Sequence, residues 1–134
     1  MDEIQAAILR VKLKHLGVWT QERRKIAERY LAGITNPKIV LPKVGENREH
    51  VWHLFVVRCE QRDQLQQYLL EKDIGTVIHY PIPMHLQKAF ADLNLKVGSY
   101  PKTEKIANTV LSLPLYIGMS DEEIDYVINA INMF

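Results

Sequence analysis

The sequence predicts an α+β fold, an α/β two-layer sandwich in which helices pack a small, mostly antiparallel sheet, preceded by a long N-terminal helix. Three observations carry this reading. Residues 2–32 repeat apolar side chains at helical spacing, residues 50–58 alternate as a strand does, and Ser120 with Glu123 opens a strongly patterned last helix. Between them, helical and β-branched stretches take turns, and the strands are too few and short for a large sheet.

Residues 2–32 read as one helix. Ile4, Ile8, Val11, Leu16, Trp19, Ile26 and Tyr30 recur at spacings near three, four or seven, the period of an apolar stripe. Asp2 and Glu3 suit the positive end of a helix, and Gly33 can supply a left-handed stop. About thirty residues at 1.5 Å rise make a rod of roughly 45 Å, longer than a small domain requires. Leu9, Leu13 and Val18 lie off the main stripe and predict a second apolar face that is buried.

Residues 34–49 form an irregular connection with Pro37, Pro42 and Gly45, in which Val40 and Leu41 can make a short strand. In 50–58, Trp52, Leu54 and Val56 alternate with Val51, His53, Phe55 and Val57, so both faces are apolar and a covered central strand is expected. Residues 61–72 read as a helix with Leu65, Leu69 and Tyr68 inward, ending at Asp73, a residue that tolerates left-handed geometry. A strand at 76–80, a short helix at 85–92 and a turn at 96–100 follow. Pro101 opens a helix with Ile106, Ala107 and Val110 inward, and residues 111–114 are extended until proline stops them. Ser120 and Glu123 form a capping box, and Ile124, Val127, Ile128 and Ile131 carry the final helix to about residue 132.

Composition narrows the function classes. A chain of 134 residues, 47% hydrophobic and 25% charged, is an ordinary soluble globular domain. A net charge of +1 gives nucleic-acid binding little electrostatic support. Cys59 is the single cysteine, which excludes an internal disulfide and a cysteine-only metal site, and it reads as a packing residue. No apolar run approaches the ~20 residues of a membrane span and no signal-peptide pattern occurs, so a cytoplasmic location is expected.

The chemistry concentrates in 75–87. A β-branched strand, Thr76 to Ile78, runs into His79, Tyr80, His85 and Gln87, with Pro81 and Pro83 stiffening the segment. Proton-capable side chains at a rigid strand end suit ligand binding, and a capped loop with hydrogen-bonded histidines is the plainer alternative. His15 reads as a surface residue, His50 as a turn residue and His53 as a sheet-face residue. His79 and His85 lack the further ligands that zinc needs, so no metal is expected. Arg58, near Glu60, Arg62 and Asp63, is expected in a salt bridge. The ten lysines, at positions 12, 14, 25, 38, 43, 72, 88, 96, 102 and 105, sit in charged and mostly helical surroundings, unlike a lysine activated for Schiff-base chemistry.

His79-Tyr80-Pro81-x-Pro83-x-His85-x-Gln87 resembles the signature of the DegT/DnrJ/EryC1/StrS family of pyridoxal-phosphate-dependent sugar aminotransferases. Asp2-Glu3-Ile4-Gln5-Ala6-Ala7-Ile8-Leu9 is similar to the start of that family's linking helix. Val51 to Arg58 with Arg62-Asp63-x-Leu65 resembles its first small-domain strand and following helix, and Leu111-Ser112-Leu113-Pro114-Leu115-Tyr116 with Met119-Ser120 its closing segment. The blocks keep the family's order over nearly the whole chain. Asp73 departs from it, standing where relatives usually have glycine.

The resemblance implies the small C-terminal domain of a fold-type I aminotransferase, with 1–33 as linking helix and 34–134 as the small domain. It implies that the cofactor-binding lysine lies in a larger preceding domain, so that this stretch is inactive alone and holds no pyridoxal phosphate. The parent is implied to be a homodimer that transfers an amino group from glutamate or another donor to a nucleotide-linked keto-deoxysugar, for surface polysaccharides or glycosylated metabolites. His79, Tyr80, His85 and Gln87 are then substrate-binding rather than catalytic, and the 78–87 run looks closest to members acting at the 3-keto position rather than the 4-keto position. A non-catalytic binding or regulatory module of the same fold, and an enzyme complete in itself using histidine acid/base chemistry, are the competing readings.

Overall fold

In the computed structural model, which describes residues 1–134, the N-terminal pattern forms two helices rather than one, α1 (Glu3–Leu13) and α2 (Leu16–Gly33). At the junction the amides of Lys14 and His15 donate to carbonyls only three residues back, those of Val11 and Lys12. Gly17, the residue least held to helical dihedrals, falls in the first turn after this tightening. α1 buries no residue, whereas α2 buries Ile26, Ala27 and Tyr30. Gly33 is not a left-handed stop. It stays helical and permits close approach to the last helix, since a Cβ there would lie 2.9 Å from Ile128 Cδ1.

The sheet consists of β1 (Phe55–Arg58) and β2 (Val110–Leu113), antiparallel, with Phe55 opposite Leu113 and Val57 opposite Leu111. Single bridges extend both outer edges: Val40 pairs with Arg58, and Val77 with Ser112. The strands expected at 40–41 and 76–80 thus reduce to one paired residue each. The strand expected over 50–58 begins only at Phe55. Trp52 has φ +50, outside the range of an extended chain, and its indole is buried and stacked 5.3 Å from the Phe55 ring. The Trp52 amide donates to His50 Nδ1 at 2.9 Å, and Arg23 donates to the carbonyls of Trp52, His53 and Leu115, so this non-sheet backbone is satisfied. His53 is therefore an exposed bend residue, not a sheet-face one.

Helix α3 (Arg62–Leu70) buries Leu65 and Leu69. Asp73 takes φ +57 at its end, while Ile74 donates back to the Leu69 carbonyl, so an aspartate makes the left-handed stop. Two 3-10 turns, Met84–Leu86 and Lys88–Leu93, replace the helix expected at 85–92. Helix α4 (Pro101–Thr109) starts on its proline and buries Ala107, but Ile106, expected inward, is half exposed. In α5 (Asp121–Asn132) the capping box closes: Glu123 N–H donates to Ser120 Oγ at 3.2 Å, and Ser120 N–H to Glu123 Oε2 at 2.8 Å.

Residues paired across β1 and β2 share a face. Phe55, Val57, Leu111 and Leu113 therefore point together into the core, where they join Tyr30, Leu65, Leu69 and Ile131. Tyr30 donates to the Pro114 carbonyl at 2.8 Å, and burial pushes its phenol well above the usual value, keeping it a neutral donor. Arg58 ends β1 exposed and makes no ion pair; Arg62 takes that role, buried, with Asp63 at 2.5 Å and the carbonyls of Ala107 and Val110. Cys59 is buried as a packing residue. The other sheet face, carrying Val56, Val110 and Ser112, is left for the segment after α3.

Candidate functional site

Strand alternation sets the site. Ser112 lies between Leu111 and Leu113, so its hydroxyl leaves the sheet on the face away from the core. The bridge at Val77 brings the following residues alongside, and His79 Nδ1 comes to 2.9 Å from Ser112 Oγ. Ser112 is buried, so this contact orients the imidazole from below and leaves Nε2 without a partner in the chain. Tyr80 follows at a cis peptide bond, 73% exposed, its ring edge-on to His79.

Beyond Tyr80 the loop is tied internally. Gln87 Nε2 donates to the Ile82 carbonyl at 3.1 Å, and the Leu86 amide to the Pro83 carbonyl at 2.9 Å. His85 turns toward α4, where Nε2 lies 3.0 Å from Glu104 Oε1 and both side chains are largely buried. The same carboxylate accepts the amides of Gly98, at 2.9 and 2.8 Å to its two oxygens, and of Tyr100 at 3.1 Å. The Gly98 amide, then the Tyr100 amide and His85, hold the Glu104 carboxyl below the usual carboxylate range against partial desolvation. Tyr100 completes the cluster, edge-on to His85 with ring centroids 4.9 Å apart.

The four residues singled out in the sequence thus share one loop but not one environment. His79, Tyr80 and Gln87 line a cavity of about 160 Å³ with Met84, Ile106 and Val110, whereas His85 sits behind the loop against α4. That volume is below the ~300 Å³ at which small-molecule sites begin, so these residues do not by themselves enclose a ligand-sized pocket. His79 has a hydroxyl and not a carboxylate behind it, an arrangement suited to hydrogen bonding. No group of three or more His, Cys, Asp or Glu is placed to hold a metal ion.

The lysines are spread elsewhere: Lys38 donates to the Phe134 carbonyl, Lys72 lies over the Tyr68 ring, Lys105 pairs with Glu60, and none lines the His79 cavity. A larger cavity, about 660 Å³, opens between Asp73 and Tyr126. Its tyrosines are engaged, Tyr116 with Glu123 and Tyr126 with the Lys72 carbonyl.

Two contributors escaped the sequence reading. Ser112 carried a signal, a lone hydroxyl in an otherwise apolar strand. Glu104 carried none, since its partners come from two separate loops.

Residues 1–132 match the DegT/DnrJ/EryC1/StrS aminotransferase family. The chain is 48% identical to a dTDP-3-amino-3,6-dideoxy-alpha-D-galactopyranose transaminase of Aneurinibacillus thermoaerophilus over 134 residues, all of this chain and 36% of that protein. Its structure resembles that of DesV of S. venezuelae, with TM-score 0.95 and 41% identity over 99% of this chain and 36% of that one. It also resembles NtdA of Bacillus subtilis with bound cofactor PMP, with TM-score 0.84 and 34% identity over 98% of this chain and 32% of that one. The chain spans about a third of the length of these relatives.

Proposed function

The chain belongs to the DegT/DnrJ/EryC1/StrS aminotransferase family, and from that premise we propose that it forms the C-terminal part of a pyridoxal-phosphate-dependent aminotransferase acting on a nucleotide-linked keto-deoxysugar. The observation that carries the proposal is the 48% identity, over all of this chain, to a dTDP-3-amino-sugar transaminase. The 3-amino sugar in that relative's name favours transfer to a 3-keto carbon of the nucleotide sugar. In the net reaction an amino donor such as glutamate gives up its amino group and becomes a 2-keto acid, while the sugar carbonyl becomes an amine. The cofactor is assigned to the remainder of the protein.

In this proposal the 79–87 loop is the substrate wall of the cleft. Tyr80 offers an exposed phenol, and His79 its free Nε2, to sugar hydroxyls or to the diphosphate. Gln87 and His85 act through the loop, the one holding the Ile82 carbonyl and the other gripping α4. The exposed apolar face of α1 is assigned to contact with the rest of the protein or with the second subunit of a homodimer.

His79→Ala in the complete enzyme tests the assignment. Losing one hydrogen bond to a neutral group costs about 0.5–1.5 kcal/mol, more for a phosphate. Sugar-nucleotide kcat/KM is expected to fall roughly threefold to tenfold while the half-reaction with the amino donor keeps its rate. Stopped-flow measurement separates the two half-reactions. Equal slowing of both, or no change in either, would make His79 a structural residue.

A further inference from the structure

One carboxylate joins three pieces of chain that border the cleft. Glu104 stands in the first turn of α4 and accepts from His85, at the far end of the substrate loop, and from the amides of Gly98 and Tyr100 in the turn before α4. Its neighbours Thr103, Ile106 and Ala107 line the same cavity as His79 and Tyr80. The loop has few other ties. Its sheet pairing ends at Val77, its anchor near Tyr80 is the contact of His79 with Ser112, and Met84 and Ile82 are exposed. The outer half of the loop, residues 80–87, is fastened to α4 through the His85 imidazole.

We propose that Glu104 is a positioning residue for the sugar nucleotide: by clamping His85 and the 98–100 turn with one carboxylate, it fixes the distance between the Tyr80 side of the cleft and its α4 side. This rests on the function proposed above and assigns a role to a residue that touches no substrate itself. The physical reason is the number of ties on one group. A carboxylate accepting three N–H groups in a largely buried setting is a rigid junction, because each bond restricts the freedom of the other two. Removing it leaves two backbone amides and an imidazole without their acceptor.

The test compares Glu104→Gln and Glu104→Ala with the parent in the complete enzyme. Glutamine keeps the length and one acceptor oxygen, so it retains part of the junction, whereas alanine retains none. Sugar-nucleotide KM is expected to rise about threefold for Glu104→Gln and about tenfold for Glu104→Ala, with kcat/KM for the amino donor within twofold of the parent. In parallel, amide hydrogen exchange should accelerate at 82–87 and 98–100 and stay unchanged in β1 and α5. A purely structural role would lower both half-reactions together and speed exchange in the core; that result, or unchanged sugar-nucleotide KM in both variants, overturns the proposal. A parent enzyme that turns over no nucleotide-linked keto-sugar overturns the functional reading and this inference with it. Normal parent turnover with unaltered variants overturns the inference alone.

Discussion

Glu104 and Glu123 are held as anions by backbone amides, and this gives the protein a predictable response to acid. For Glu104 the Gly98 amide is the main cause of the lowered carboxyl pKa, and for Glu123 it is the Ser120 amide, followed by Tyr116. A carboxyl lowered in the folded state binds a proton less readily there than in the unfolded chain, so its contribution to stability is complete above the unfolded carboxylate range. It is lost as pH falls through the lower, folded value. Protection of the Gly98 and Tyr100 amides is therefore expected to be flat near neutrality and to fall only in acid, below the ordinary carboxylate range, a dependence that Glu104→Gln removes at those two amides only. Amide exchange as a function of pH checks this; loss of protection on going from pH 5 to pH 8 would refute it. The sequence showed the chemistry of the loop but not its wiring. His79, Tyr80, His85 and Gln87 stand out because unusual polar residues flank two closely spaced prolines, Pro81 and Pro83. That His79 pairs with Ser112 and His85 with Glu104 depends on contacts 33 and 19 residues apart, and local pattern carries no trace of such distances.

Helices α2 and α5 meet where Gly33 faces Ile128, with no room for a methyl group. Gly33→Ala gains helix propensity at an ordinary position, but here the added Cβ falls 2.9 and 3.0 Å from Ile128 atoms and overpacking prevails. A net loss of about 1–3 kcal/mol is expected, read as a lower urea midpoint with an unchanged slope. Pairing it with Ile128→Val, which shortens that side chain by one methyl, should recover part of the loss; a Gly33→Ala protein as stable as the parent would show that the helices shift freely. The elements legible in the sequence were those with local signals: the Ser120 box, the Pro101 start, the stop at Asp73 and the inward stripe of α5. Those that failed were decided at a distance. Alternation over 50–58 is that of a strand, but Trp52 takes a left-handed backbone with its indole stacked on Phe55, and pairing begins only afterwards. The break between α1 and α2 has no proline to announce it, and the 76–80 strand keeps one bridge because the loop beyond it turns to α4.

At the scale of the whole molecule, α1 is the part that the rest of this chain does not explain. Ile4, Ile8, Leu9, Leu13 and Leu16 are each about half exposed or more, and no residue of α1 is buried. Ala6, Leu9, Leu13, Leu16 and Trp19 line an apolar groove of about 460 Å³ along it. A contiguous exposed surface of this kind marks an interaction site. The charges on the helix favour one arrangement for two copies. Glu3 lies in the first turn and Arg10 and Lys12 near the last, so an antiparallel two-fold pair sets acidic ends against basic ends while the grooves face each other. The 134-residue chain is accordingly expected to dimerise reversibly, with a dissociation constant that weakens at high salt as the end charges are screened. Leu9→Glu with Leu13→Glu should return it to a monomer, and because α1 buries nothing, its thermal midpoint extrapolated to low concentration should match that of the parent. Sedimentation equilibrium across concentration and salt gives both readings. A parent chain that stays monomeric at several hundred micromolar, or a charged variant that still dimerises, would remove α1 as the contact.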